Sequence, residues 1–147
     1  MFETLITVTM SLSSILLFCY WFRYTCRLIL SAATSQDFAT GIAQAQRLCF
    51  REAQLQLRRG ATELDQLRDM LDHDYATLAR LMNQAGGMQE GIERRMLAVH
   101  YHLTAAWYRF CSTISTSAAR LALEEMSLVV AHFANSLGEA AASSAAA

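Results

Sequence analysis

Nineteen consecutive residues, Thr4 to Phe22 (TLITVTMSLSSILLFCYWF), carry no charge and no proline or glycine. Wound as a helix at 1.5 Å per residue they would span about 28 Å, against a bilayer hydrocarbon core of about 30 Å. Arg23 ends the run, and Tyr20, Trp21 and Tyr24 flank it as an interfacial aromatic belt does. Arg23 and Arg27 can snorkel to a membrane surface, so the helix is expected to continue through Leu30. The run therefore predicts one transmembrane helix within residues 1–33, with a short extra-cytoplasmic N-terminus.

Two other readings fit less well. A secretory signal peptide has a basic segment before a shorter apolar stretch and a small-residue cleavage site after it. Here Glu3 precedes the run, the arginines come after it, and Ser31-Ala32-Ala33 comes only after a second apolar patch, Leu28-Ile29-Leu30. A buried helix of a soluble domain would not be diluted by Thr7, Thr9, Ser11, Ser13 and Ser14. Small hydroxyl residues instead suit a membrane helix that packs closely on another helix. A chain with one span has no second membrane helix of its own, so Ser11 and Ser14 become candidate contacts to another subunit.

The orientation is read from the arginines. No Lys or Arg precedes the span, and Arg23 and Arg27 come directly after it. The positive-inside rule then places the C-terminal domain in the cytoplasm, at the inner (plasma) membrane of a bacterial cell. Charge is distributed unevenly along the rest. Residues 1–60 carry a net +3, residues 61–93 a net −5 and residues 94–147 a net +1. The basic first third is suited to anionic lipid headgroups beside the membrane, with Arg23, Arg27, Arg47 and Arg51 as the candidate contacts. A near-neutral chain with an acidic middle argues against nucleic acid.

Beyond the span the chain reads as helix throughout. Proline is absent and alanine, leucine, glutamine, arginine and glutamate dominate. Residues 34–138 are expected to form one antiparallel bundle of four helices, and residues 139–147 a low-complexity tail, frayed or disordered. Thr34 or Ser35 would cap the first helix, with Phe38, Ile42, Ala45 and Cys49 on its apolar face and Arg47, Arg51 and Arg58 on another. Arg59-Gly60 would close it. The second helix has the clearest pattern: Leu64, Leu67, Leu71, Asp74 or Tyr75, Leu78 and Met82, backed by Asp65, Asp69 and Asp72, with Gly86-Gly87 as its end. The third would bury Ile92, Met96, Val99, Leu103, Ala106 and Phe110. The fourth would bury Ala122, Met126, Val129, Phe133 and Leu137, and Gly138 would stop it. The fold class is thus all-α: one N-terminal membrane helix and then a small bundle.

Signs of chemistry are sparse. No phosphate-binding glycine loop, nucleophile elbow or Glu-x-x-His pair occurs. Cys19, Cys26, Cys49 and Cys111 have no CxxC spacing and read as small buried residues. Asp69 and His73 stand four apart, but on the polar side of their helix. His100 and His132 are the candidate cofactor ligands, because two histidines on neighbouring helices can hold a non-covalent haem. The ordinary alternative is a pair of part-buried histidines hydrogen-bonded to carboxylates such as Glu125. Trp107 lies off the main apolar stripe of its helix and is the expected partner contact.

The chain as a whole reads as a non-catalytic accessory or scaffold subunit of a larger membrane complex, with no cofactor and other membrane-protein subunits as partners. The alternative is a membrane-tethered redox or ligand-binding protein that uses His100 and His132.

Overall fold

A computed structural model describes residues 1–31, 37–84 and 91–146. The described residues are helical with no strand, and the order is α1 (Phe2–Ser31), α2 (Ala39–Gln46), α3 (Phe50–Arg58), α4 (Leu64–Gln84), α5 (Ile92–Cys111) and α6 (Thr116–Ala146). The chain divides into two units, Met1–Ala32 and Ala33–Ala147. The expected caps Thr34 and Ser35 and the expected break at Gly86-Gly87 lie outside the described residues.

In the first unit, α1 is long and apolar enough to cross a membrane. Its hydroxyls turn back on their own helix. Thr7 Oγ1 donates to the Glu3 carbonyl at 2.8 Å, Thr9 Oγ1 to Leu5 at 2.8 Å and Ser14 Oγ to Met10 at 3.0 Å. A hydroxyl satisfied this way can sit in an apolar medium without an unpaired donor.

In the second unit, α2, α3, α4 and α5 all pack on α6. The central part of α6 buries a broad face, at Ala119, Ala122, Leu123, Met126, Ser127, Val129, Val130, Phe133 and Ala134, while Leu121, Glu124 and Leu128 are exposed. The expected residues Ala122, Met126, Val129 and Phe133 are among them. An apolar helix of this kind belongs at the centre of a bundle. α4 buries Leu64, Leu67, Leu71, Leu78 and Met82 as its spacing predicts, and between Asp74 and Tyr75 it is Asp74 that goes inside, at 1% exposure.

Three expectations are corrected by the structure. The helix expected from the mid-thirties to Arg58 is two helices, which makes the bundle five-helical. α2 stops at Gln46, and Arg47 takes the left-handed conformation (φ 52°), with its N–H directed to the Ala43 and Gln44 carbonyls. The Leu48 N–H returns to the Ala43 carbonyl at 2.9 Å, closing a Schellman-type end. The turn resets the helical register. Ala39 and Ala43 of α2, then Phe50, Ala53 and Leu57 of α3, face the core, and Ala45 is exposed. The arginine stripe of Arg47, Arg51 and Arg58 is broken at the same point.

Gly138 does not stop α6, and the tail is helical through Ala146. The glycine is a packing position. A Cβ there would collide with Phe38 Cβ and lie 3.2 Å from Ile42 Cγ1, so the missing side chain is what lets the start of α2 seat on α6. Alanine and serine continue the helix beyond it, and Ser143 and Ser144 donate to the Ala140 and Ala141 carbonyls at 2.9 and 2.8 Å. The third correction is the face that α5 buries, which is set by polar partners on α4.

The two short helices have their ends closed by side chains of the long ones. Asn135 Oδ1 of α6 accepts the Phe38 N–H at 2.9 Å, where α2 begins. Asp74 Oδ2 of α4 accepts the Cys49 N–H at 2.7 Å, where α3 begins. Arg120 of α6 donates to the Ala61 carbonyl at 3.0 Å, just past the left-handed Gly60 (φ 82°) that ends α3. Helices of eight and nine residues are too short to stand alone, and these caps fix them to the core.

Two stability measurements check this arrangement. Leu71→Ala removes a fully buried side chain and is expected to cost roughly 2–5 kcal/mol, whereas Asp69→Ala, on an exposed position, stays within about 0.5 kcal/mol. Equal losses in denaturant unfolding would contradict the orientation of α4. Arg47→Gly relieves a left-handed non-glycine residue and should stabilise the bundle by about 0.5–1 kcal/mol. Arg58→Gly, in the regular last turn of α3, should instead destabilise by about 1 kcal/mol.

Candidate functional site

α5 carries two adjacent apolar sectors, and only one of them can face α6. The sequence spacing predicts a core face of Ile92, Met96, Val99, Leu103, Ala106 and Phe110. The structure buries Leu97, His100, Tyr101, Thr104, Tyr108 and Cys111 instead. The helix is thus turned by about one residue, 100°, from the expectation. Polar partners on the neighbouring helices explain the choice. Tyr101 donates to Asp72 Oδ1 and Tyr108 to Asp65 Oδ1, both at 2.8 Å. The two tyrosines are seven apart on α5, and the two aspartates seven apart on antiparallel α4. Burial, reinforced by the facing carboxylates, holds both phenols well above their ordinary pKa, so they remain donors. Asp65 and Asp72 thus each accept a tyrosine hydroxyl from α5, Asp72 half-buried and Asp65 exposed, while Asp69 is exposed.

A second matched spacing joins α5 to α6. His100 Nε2 lies 3.8 Å from Glu125 Oε2, and His132 Nε2 lies 3.7 Å from Glu93 Oε1. Glu93 and His100 are seven apart, as are Glu125 and His132, so the two pairs form successive rungs of one antiparallel contact. The candidate ligands His100 and His132 consequently occupy different rungs, offset by about 10 Å along the helix axes. Two nitrogen ligands of one metal ion must each approach within about 2 Å of it, and the structure does not bring these two rings together. No group of three or more metal-ligating side chains occurs among the described residues. Burial pushes the His132 imidazole below its ordinary value of 6.5, opposed by the Glu93 charge.

Turning α5 in this way leaves the other sector outside. Leu103 is 57% exposed, Trp107 49% and Phe110 59%, and Ile92, Val99 and Ile114 are also open. Trp107 and Phe110 lie together with ring centroids 5.6 Å apart. Leu121 and Leu128 are exposed on α6. They share one side of that helix with Glu125 and His132, which face α5, so the apolar surface continues across the seam. Trp107, singled out from the sequence, sits within this surface. Leu103 and Phe110 beside it belong to the sector that spacing alone places in the core.

The remaining candidates are dispersed. Ser11, Ser14, Arg23 and Arg27 are exposed on α1. Arg51 is held by Asp37, with Nη2 to Oδ2 at 2.6 Å, and Arg47 is exposed at the end of α2. The Thr40 hydroxyl and the Arg51 charge together hold the Asp37 carboxyl below its ordinary range.

No family model, curated protein or solved structure matches this chain.

The His132 environment sets a pH dependence. A base whose pKa is lowered by folding contributes stability that is present above its unfolded value and lost as pH falls below about 6.5. The wild type should therefore lose more stability between pH 7 and 5 than a His132→Gln variant. Parallel curves in denaturant titrations at the two pH values would contradict that.

Proposed function

We propose that this protein is a non-catalytic, single-span accessory or scaffold subunit of a larger membrane complex. The carrying observation is the exposed apolar surface of α5 and α6. Single apolar residues on a surface are ordinary, but a contiguous strip containing Leu103, Trp107 and Phe110 on one helix face is the composition of a protein contact. These side chains also lie on a regular helix whose other side is anchored in the core, so little ordering entropy opposes docking.

The membrane part of the proposal rests on α1. Its length and apolar surface suit a span, and Ser11 and Ser14 offer the small-residue side for a partner's membrane helix. Arg23 and Arg27 would place the bundle on the cytoplasmic side of a bacterial inner membrane, beside anionic headgroups. The partners in this reading are other membrane-protein subunits, and the contact uses both units of the chain. The alternative, a tethered haem or redox protein, needs His100 and His132 to converge on one group, and each faces its own glutamate instead.

Substitutions on the exposed strip test the proposal without touching the core. Leu103→Glu with Trp107→Glu should release the protein from a high-mass membrane assembly in native electrophoresis, while helicity and melting temperature stay within a few degrees of wild type. Ser11→Leu with Ser14→Leu should weaken the same assembly through the span. A wild-type chain that runs as a lone monomer in mild detergent, with no partner crosslinked in intact membranes, would exclude the subunit reading.

A further inference from the structure

We propose that the cleft between α4 and α5 binds a small organic oxyanion, a carboxylate or phosphate ester with a compact apolar body. The cleft arises from the way the two helices are spaced. Each packs closely on α6, and they stand farther from one another. Tyr101 and Tyr108 reach across to Asp72 and Asp65 as struts. Beside the Tyr101–Asp72 strut the cleft is lined by Ala76, Ala105 and Ala106, whose methyl groups cannot fill the gap. The result is an open cavity of about 440 Å³, within the 300–1,000 Å³ range of small-molecule sites.

The polar groups of the cleft favour an anion. Arg68 and Arg109 both line it. Arg68 gives Nη2 to Asp72 Oδ2 at 3.2 Å, and its buried Nε has no hydrogen-bond partner among the described residues. That Nε is closed to solvent, so an oxyanion entering the cleft meets the outer edge of the Arg68 guanidinium together with Arg109. Asp72 offsets the charge of Arg68, with which it pairs, so the net positive charge of the cleft comes from Arg109. Arg109 makes no ion pair among the described residues, so the second positive charge is not neutralised by a protein carboxylate.

The body of the ligand is set by the walls. The alanine methyls and the edge of the Tyr75–Tyr101 stack, with ring centroids 3.9 Å apart, give an apolar lining beside the two arginines. Tyr75 is covered by Tyr101 on one side and by Phe133 at 5.8 Å on another, so the stack is a wall rather than a platform open for intercalation. An inorganic ion would use the arginines and leave the apolar wall wet. A ring-sized or short-chain acid uses both.

The test is calorimetric titration of the full chain in phosphatidylcholine nanodiscs with phenylacetate and phenyl phosphate. Inorganic phosphate and 2-phenylethanol serve as comparators. At least one of the two organic anions should saturate one site with a Kd of roughly 1 mM or tighter. Arg109→Met, at an exposed position, should weaken it about tenfold or more. Ala105→Leu should abolish it by filling the cleft, with the thermal transition retained. The preference between phenylacetate and phenyl phosphate identifies the headgroup. Absence of saturation by both up to about 10 mM overturns the proposal. So does equal binding of 2-phenylethanol, which would leave the arginines no role, or equal binding of inorganic phosphate, which would leave the apolar wall none. If Ala105→Leu perturbs folding, the Arg109→Met comparison decides, and unchanged affinity there sinks the assignment.

Discussion

The second unit depends on the broad apolar face that α6 buries against the other helices. A helix that presents Ala119, Leu123, Met126, Val130 and Ala134 along one stripe, with Ala122, Val129 and Phe133 beside it, has no stable position in water unless other helices cover that face. α2, α3, α4 and α5 are those helices. Each fully covered large aliphatic side chain contributes roughly 1.5–3 kcal/mol of burial. The small residues interleaved with them (Ala119, Ala122, Ala134 and Gly138) let neighbours approach closely. Phe38 on Gly138 is the extreme case, since even one methyl group would push α2 away.

Around this apolar axis the orientation of the outer helices is chosen by polar side chains. Hydrophobicity alone would let α5 pack by either of two sectors. Tyr101 and Tyr108 decide, because their rings bury well and their hydroxyls find Asp72 and Asp65. Burying them with no acceptor would cost about 1–3 kcal/mol each, enough to reverse the choice. Asp74 and Asn135 act similarly on α3 and α2, giving the first N–H groups of short helices an acceptor from a long one. The carboxyl of Asp74 is raised by burial even though it accepts these backbone bonds, so desolvation outweighs them.

The same choice has consequences for function. Because α5 turns its tyrosine sector to the interior, its leucine, tryptophan and phenylalanine sector is left as surface. Because the tyrosines are long, α4 and α5 are held apart over their alanines. The apolar strip proposed for a partner and the cleft proposed for an organic anion thus flank the same helix. Both arise from one rotation about its axis.

Much of this protein is legible in its sequence, and the limits are physical ones. The uncharged run of residues 4–22 determines a long apolar helix by composition alone, and the absence of proline with a helix-forming residue mix determines an all-α chain. The leucines of α4 determine its buried face, because one narrow apolar stripe leaves a single way to pack. α5 is not decidable by that rule, since its wide apolar arc fits two orientations of similar hydrophobicity. The matched seven-residue spacings of Tyr101 and Tyr108 with Asp65 and Asp72 are present in the chain. They acquire meaning only when the two helices are known to lie antiparallel. Arg47 gives no local signal for a left-handed helix end, because glycine is the residue that normally marks one and an arginine is held there by the packing on either side. Sequence by itself therefore determined that the chain is all-α and that its first helix is long and apolar enough to cross a membrane. Tertiary structure decided where the helix expected before Arg58 breaks and which face of α5 meets water, because both are settled by hydrogen-bond partners contributed from distant helices.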